Sequence, residues 1–355
     1  FDHLVELNDD GSFRLNLEYF DFCTGIKMFS PKFETLFGGR ARLPESAITQ
    51  HTADIASSIQ TVLEKIIARI VIHVSSATQE KNLCIAGGVA LNCVANGKIL
   101  RSGVFDRIWI QPAAGDAGGA LGAALGAHHL HFNKPTPENK PATDWMRGSY
   151  LGPHYSDQEI EAELKSAGAV WHKLMPQELI ERAAKSLKGG YALGWHQGAM
   201  EFGPRALGNR SIFADARSPE TQTVLNLKIK FRESFRPFAP VVLSEKAQEW
   251  FELKTESPYM LLVDAVHHSQ LRPSRQTNDV LFEKLKTQRS TSPAVTHVDN
   301  SARIQTAHKE TNPLLHALLT EFEKQTGVPC LANTSFNVRG EPIVESPTDA
   351  FRCFM

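Results

Sequence analysis

Two short segments gather side chains that hold anions. Met200-Glu201-Phe202-Gly203-Pro204-Arg205-Ala206-Leu207-Gly208-Asn209-Arg210-Ser211 sets two arginines among glycines, a proline and an asparagine. Lys228-Ile229-Lys230-Phe231-Arg232-Glu233-Ser234-Phe235-Arg236-Pro237-Phe238 adds a second cationic cluster. Guanidinium groups make planar, multi-donor contacts to phosphate or carboxylate. Glycine lets backbone N–H groups approach a ligand closely. So many local cations make a poor core and point instead to a phosphorylated substrate.

Three further segments carry candidate chemistry. Pro329-Cys330-Leu331-Ala332-Asn333-Thr334-Ser335-Phe336-Asn337-Val338-Arg339-Gly340 runs from a buried apolar strand into compact hydrogen-bonding groups. Asn333 and Ser335 suit a ligand's polar edge or phosphate oxygens. Ser301-Ala302-Arg303-Ile304-Gln305-Thr306 adds one more arginine, a type that is more often a surface residue when taken alone. Gly115-Asp116-Ala117-Gly118-Gly119 puts Asp116 at a strand tip before a glycine-rich helix, where it can ligate a metal, cap the helix, or both. The Gly87-Gly88 turn fits either phosphate binding or tight strand–helix packing, and matches neither the Walker nor the dinucleotide fingerprint. His128, His129 and His131 look like a metal cluster but lie at a helix end beside a proline-rich stretch, where polar residues are welcome. His196 and His297 stand beside the anion segments and are better candidates for contacts, with a structural role the commoner one.

Bulk properties narrow the class. A chain of 355 residues with 42% hydrophobic and 22% charged content is an ordinary globular protein of two domains. A net charge of −1 gives no global attraction to nucleic acid or anionic membrane, so the basic clusters favour a small anionic ligand. Five cysteines with no CxxC pair argue against a zinc or disulfide framework and for a reduced, cytoplasmic setting. The apolar runs are too short for a membrane span. The oligomeric state has no readable signature.

These residues need elements to hold them. Ile55, Ile59, Val62, Ile66, Ile67 and Ile70 recur at helical spacing and predict one long helix over 49–80. Strand, glycine turn and helix then follow twice, at 82–100 and 107–128, which argues for α/β architecture. Residues 133–143, with Pro135, Pro137 and Pro141, form the best linker. The expected domains are therefore 1–140 and 141–355. In the second, helices at 157–166 and 177–186 precede a strand at 190–195 that delivers the arginine segment. A strand-like stretch that carries Arg303 is expected over 293–306, a polar loop at 270–292 and a helix over 348–355.

Taken in order, the segments 86–99, 111–125, 200–217, 228–242, 295–306 and 333–347 resemble the O-carbamoyltransferase family of nodulation-factor and antibiotic-modifying enzymes. The resemblance implies a first domain of the actin-like ATPase (ASKHA) fold, here incomplete, and a second domain like the threonylcarbamoyl-AMP synthases. It implies an enzyme that makes carbamoyl-adenylate from carbamoyl phosphate and ATP, then passes the carbamoyl group to a hydroxyl of a small-molecule acceptor. Carried over by position, Asp116 corresponds to a metal-ligating aspartate, with Fe2+ the implied ion and Mg2+ a companion of ATP. Arg205, Lys230 and Arg236 take catalytic roles, and with Arg303, Asn333 and Ser335 they form the nucleotide and carbamoyl-phosphate site. Family members also carry an N-terminal HxxxH pair that supplies further metal ligands, and this sequence has no such pair. Two other functions stay open on the residues alone. One is an ATP-using threonylcarbamoyl-type or kinase-like enzyme of the same folds, and the other is a non-catalytic nucleotide-binding module.

Overall fold

The computed structural model describes residues 2–43, 46–136, 145–273 and 287–355. The expected linker and the loop at 270–292 lie partly outside these residues. Contacts divide the chain into two units, one of residues 1–84 with 97–109, the other of 85–96 with 110–355. The expected boundary at 140 does not coincide with this division, because residues 110–136 fall with the second unit. Two contacts within that unit show why: Gly87 N donates to Ala114 O at 2.9 Å, and a Cβ on Gly203 would stand 3.0 Å from Pro112 O.

The first unit opens with an antiparallel pair, β1 (Val5–Leu7) and β2 (Phe13–Leu15). A short helix α1 (Pro31–Leu36) follows, then the long helix α2 (Gln50–Thr78). Thr49 and Thr52 cap α2 reciprocally, which fixes its start. The predicted helix is present, but its apolar face is only partly covered: Ile66 is buried while Ile59 and Ile70 are exposed. The strands β3 (Asn82–Ile85) and β4 (Arg107–Ile110) pair with each other, and α3 (Cys93–Ser102) lies between them in sequence.

In the second unit, α4 (Asp116–Gly126) passes into a π-helical turn at Ala127–His131. Next come α5 (Asp157–Ser166), α6 (Pro176–Lys188), β5 (Leu193–His196), β6 (Arg210–Asp215), α7 (Pro219–Val224) and β7 (Ala239–Leu243). The unit finishes with α8 (Ala247–Trp250), β8 (Leu262–Ala265), β9 (Ser301–Ala307), α9 (Pro313–Thr326), β10 (Cys330–Ser335) and α10 (Pro347–Phe354). Its sheet has the order β5-β6-β10-β7-β9-β8. Neighbours are antiparallel except β7 and β9, which are parallel. The architecture is α/β, as the sequence predicts. Among the described residues, no helix is long and apolar enough to cross a membrane.

One stretch agrees with expectation only in part. The strand expected over 293–306 is present in its second half, whereas Pro293–Val295 is a single 3-10 turn. Pro293 has no N–H to give a ladder, and Asn300 turns the chain with a φ of 63°. The strand starts one residue later, at Ser301, and it carries Arg303.

Two helices cover one face of the sheet. Helix α6 presents Ile180, Ala183, Ala184 and Leu187, and α9 presents Leu315, Leu318, Leu319 and Phe322. Both sets follow the i, i+3, i+4, i+7 spacing of a single helical stripe. They meet Trp195, Phe213, Val241, Leu243, Ala307 and Leu331 of the strands. Asn312 caps α9 through Leu315 N, Pro313 occupies the first turn, and Gly327 ends the helix in the left-handed region at a φ of 75°. Phe322 is fully buried at the centre of this core. Replacing it by alanine removes its packing and leaves a cavity, at a cost of about 3–5 kcal/mol. Denaturant unfolding of Phe322→Ala followed by tryptophan fluorescence should show that loss, and a midpoint equal to that of the parent would refute this account of the core.

Candidate anion-binding site

The apolar character of the helix-covered face stops part-way along the strands. Leu331 lies opposite Val241, and Val241 opposite Gln305. Alternate residues keep facing the same way, so the next positions on that face are Asn333 of β10 and Arg303 of β9. Val263 of β8 sits opposite Arg303. The strand pattern thus continues while the side-chain type changes from aliphatic to polar. That change opens a cavity of about 380 Å³.

Arg205, Arg232, Arg236 and Arg303 line the cavity, together with His297, Asn333 and Ser335. Among the described lining residues there is no carboxylate. Each arginine is held differently. Arg232 lies over the Phe238 ring at 5.2 Å and donates from Nε to Asn226 Oδ1 at 2.7 Å. Arg236 pairs through Nε with Glu233 at 3.1 Å. The neighbouring Cys93 side chain favours the charged form of Arg303. Arg205 keeps a buried Nε with no hydrogen-bond partner, and Asn333 keeps a buried Oδ1 in the same condition. Unmet buried polar atoms are rare and costly. Here both belong to residues that line one cavity. Burial pushes the Arg303 guanidinium below its ordinary pKa, and Arg205 pushes it the same way. Burial and then Arg236 do the same to Arg232. An entering polyanion would relieve all of these penalties.

The loop that carries Arg205 is organised by a carboxylate. Oε1 of buried Glu201 accepts from the backbone N of Leu207 at 2.6 Å, Asn209 at 2.8 Å and Arg210 at 3.3 Å. The loop is then tied to the sheet. Gln305 Nε2 donates to Leu207 O at 2.7 Å, and Asn333 Nδ2 donates to Gln305 Oε1 at 2.7 Å and Ala206 O at 3.1 Å. Gly208, at a φ of 116°, lies so close to α9 that a Cβ there would stand 2.4 Å from Leu315 Cδ2. Glycine is required at this point by both conformation and space.

The structure brings together Arg205, Arg236, Arg303, Asn333 and Ser335, five of the six residues expected to bind nucleotide and carbamoyl phosphate. Lys230 is placed differently. It is buried, and its Nζ donates to Ser335 O at 2.6 Å, Asn337 Oδ1 at 2.7 Å and Asn337 O at 2.8 Å. Burial and then Arg232 push its ammonium down to about 8. Lys230 does not line the cavity; it ties the end of β10 to the cationic segment. Arg210, the second arginine of the opening motif, also turns away. Its fully buried guanidinium donates to the carbonyls of Glu345, Gln197 and Asn209 at 2.7–3.0 Å. Asp116 is exposed at the first residue of α4. Among the described residues, the one group able to offer three metal-ligand atoms is Glu252, His267 and His268, which includes neither Asp116 nor the histidines at 128–131. The residues present around Asp116 do not by themselves fit a metal.

Sequence reasoning passed over Glu201, Gln305 and Arg232 as site-forming residues. Glu201 and Arg232 stand inside the two basic segments, so a lone carboxylate among arginines was the available signal for the first. Gln305 had only its period-2 relation to Arg303.

Family comparisons agree with the motif order. The chain matches the model for the carbamoyltransferase N-terminus over residues 1–125 and that for the carbamoyltransferase C-terminus over 184–355. The chain belongs to the carbamoyltransferase family. Across its whole length it is 54% identical to the uncharacterized protein sll1178 of Synechocystis, covering 58% of that protein. It is 39% identical to nodulation protein NolO of Bradyrhizobium diazoefficiens and to nodulation protein NolNO of Sinorhizobium fredii, covering 59% and 48% of them. The chain therefore spans about half the length of the curated relatives it matches. A crystal structure of full-length HypF in a phosphate- and nucleotide-bound form aligns over 70% of the chain and 34% of its own, at 12% identity and a TM-score of 0.32. That likeness is too slight to argue from.

Within this carbamoyltransferase chain the two classes of cation should separate by stability. Lys230→Met removes a donor from three half-buried oxygens, of which Ser335 O and Asn337 Oδ1 keep another donor and Asn337 O loses its own, and should cost about 1–3 kcal/mol. Arg205→Ala removes a group with an unpartnered Nε and should stay within about 0.5 kcal/mol of the parent. Urea denaturation of both variants checks this, and equal destabilisation by the two would contradict the assignment.

Proposed function

We propose that the arginine-lined cavity binds carbamoyl phosphate and ATP and forms carbamoyl-adenylate, and that the carbamoyl group then passes to a hydroxyl of a small-molecule acceptor. Membership of the carbamoyltransferase family supports carbamoyl transfer. The observation that carries the adenylation step is the cavity itself, with four arginines, no lining carboxylate, and the unpartnered Arg205 Nε and Asn333 Oδ1. The identity of the two folds, actin-like before and threonylcarbamoyl-AMP-synthase-like after, rests on the family resemblance, as does the hydroxyl acceptor.

The chemistry asks for this kind of wall. Carbamoyl phosphate and ATP are both polyanions, and fixed cations must offset their repulsion. Water cleaves carbamoyl phosphate to carbamate and phosphate. A carbamate oxygen then attacks the α-phosphorus of ATP, and the bond to the β-phosphate oxygen breaks to release pyrophosphate. Negative charge grows on the α-phosphate oxygens and on the leaving group, and pre-placed guanidinium donors stabilise it without reorganising. Arg205 and Arg303 take this role, with Arg232 and Arg236 holding phosphate oxygens. Asn333 Oδ1 accepts from a ligand N–H, such as the carbamoyl amide or adenine amine. Ser335 supplies a hydroxyl at the cavity wall. Lys230 acts on the site by fixing Ser335 and Asn337. A metal at Asp116 would need ligands beyond those the described residues bring to it, and no step is routed through one.

Pyrophosphate release from ATP, measured with and without carbamoyl phosphate, tests the proposal. Release should require carbamoyl phosphate. It should fall about 100-fold or more in Arg205→Ala, the scale of losing one transition-state donor. Release that ignores carbamoyl phosphate would point to an ATP-using enzyme of another kind, and nucleotide binding with no release at all would point to a binding module.

A further inference from the structure

The cavity wall contains one titratable group that the adenylation chemistry above does not use. His297 lines the cavity beside Arg303. Its Nδ1 stands 2.9 Å from Ser301 Oγ, and Ser301 Oγ stands 2.6 Å from Asp299 Oδ1. An ionised carboxylate can only accept, so the single hydroxyl proton of Ser301 goes to Asp299. Ser301 therefore accepts from His297, and Nδ1 carries the imidazole proton. Nε2 is left as the acceptor on a ring that lines the cavity. Two backbone hydrogen bonds brace the turn that holds this arrangement. Ser301 N also donates to Asp299 Oδ1 at 3.1 Å, and His297 N donates to Ser301 O at 2.7 Å. Ser301 is nearly buried, while Asp299 is exposed. The hydrogen-bond chain runs from cavity to solvent.

The charges around this imidazole oppose each other. Burial pushes the His297 pKa down, Asp299 pulls it up, and Arg303 pushes it down again. The other charged groups at the cavity are Arg205, Arg232 and Arg236, all cationic, and the Cys93 thiol also lines it. Burial raises the Asp299 carboxyl, but its two hydrogen bonds from Ser301 and the nearby His297 hold it below the ordinary range. Asp299 thus remains an anion near neutral pH, able to stabilise an imidazolium through Ser301. What prevents the charge in the empty cavity is burial together with arginines whose field no ligand offsets.

We propose that His297 is a proton-coupled anion receptor. It is neutral in the empty cavity, and it takes up a proton from solvent at Nε2 when a phosphate-type dianion enters, so that it adds a further charged donor to the four arginines. The inference rests on the reading of this cavity as a phosphate site. It adds a pH dependence to that reading: between the empty and bound midpoints, anion affinity rises as pH falls. Asp299 and Ser301 are positioning residues, which fix the tautomer and support the charged form.

The test follows the His297 Cε1–H resonance of the histidine-labelled chain against pH. It is run with and without saturating sulfate, at constant ionic strength set with chloride. Sulfate stays fully ionised across the range, so any proton gained belongs to the protein. His297→Gln assigns the resonance. The titration midpoint should rise by about one pH unit or more in sulfate, equivalent to about tenfold tighter binding by the charged ring. Asp299→Asn should reduce the rise. A midpoint that does not move in sulfate, or a ring already charged in the empty protein at pH 7, overturns the proposal. Sulfate binding needs no turnover. Failure of the pyrophosphate assay would therefore count against the adenylation reading alone, and a motionless His297 midpoint against this inference alone.

Discussion

Four guanidinium groups around one cavity with no lining carboxylate must be held against their own repulsion. A fully buried and unpaired charge costs several kcal/mol, so the fold supplies a separate device for each. Phe238 offers its ring face to Arg232, Glu233 offers a carboxylate to Arg236, and the neighbouring Cys93 favours the charged form of Arg303. Glu201, buried one layer behind the wall, gathers three backbone N–H groups and sets the loop from which Arg205 projects. The repulsion left over is unfavourable in the empty protein, and it becomes favourable when an anion enters. That makes the cavity pre-organised for charge and not for shape alone.

The same cationic residue types serve a second, opposite purpose a few residues away. Arg210 and Lys230 are both buried, and both aim their donors at backbone carbonyls. They act as multi-armed ties that close loops no helix or strand could close. Arg210 joins the ends of β5 and β6 to the stretch before α10, and Lys230 joins the cationic segment to the end of β10. What distinguishes a tie from a receptor is whether donors remain. Arg210 uses its donors on the chain, whereas Arg205 keeps a buried Nε unmet. Spacing in the sequence carries no trace of that difference.

Much of the fold was legible because its elements obey local rules. The isoleucines of α2 and the helices expected at 157–166 and 177–186 follow the helical period, whereas α9 was not among the expected elements, although its Leu315-Leu318-Leu319-Phe322 stripe and its Asn312-Pro313 and Gly327 ends obey the same rules. The cationic segments and the polar end of β10 were legible as chemistry. Strand order was not, because pairing of β6 with β10 joins residues more than a hundred positions apart and depends on the whole sheet. The direction of each cation was not, since Lys230 and Arg232 are two residues apart in the same segment and one faces Ser335 and Asn337 while the other faces the cavity. The strand expected over 293–306 was legible in its second half, while its first half forms no ladder because Pro293 lacks an N–H and Asn300 turns the chain.

The position of the cavity follows from the sheet more than from the loops. Beneath α6 and α9 the strands carry Leu331, Val241 and Ala307; Asn333 lies two residues beyond Leu331, still paired with β7, and Arg303 lies four residues before Ala307, paired with β8. A ligand-facing side chain on a strand inherits the rigidity of the core it adjoins, so its geometry is fixed before any ligand arrives. Gln305 makes the transfer explicit. It stands opposite Val241 in the sheet, donates to the arginine loop at Leu207 O, and accepts from Asn333. The apolar core, the polar strand ends and the glycine-rich loop are therefore one mechanical unit. A substitution that loosened α9 against the sheet would be felt at Arg205 through Gly208 and Leu315, with no contact to the ligand at all.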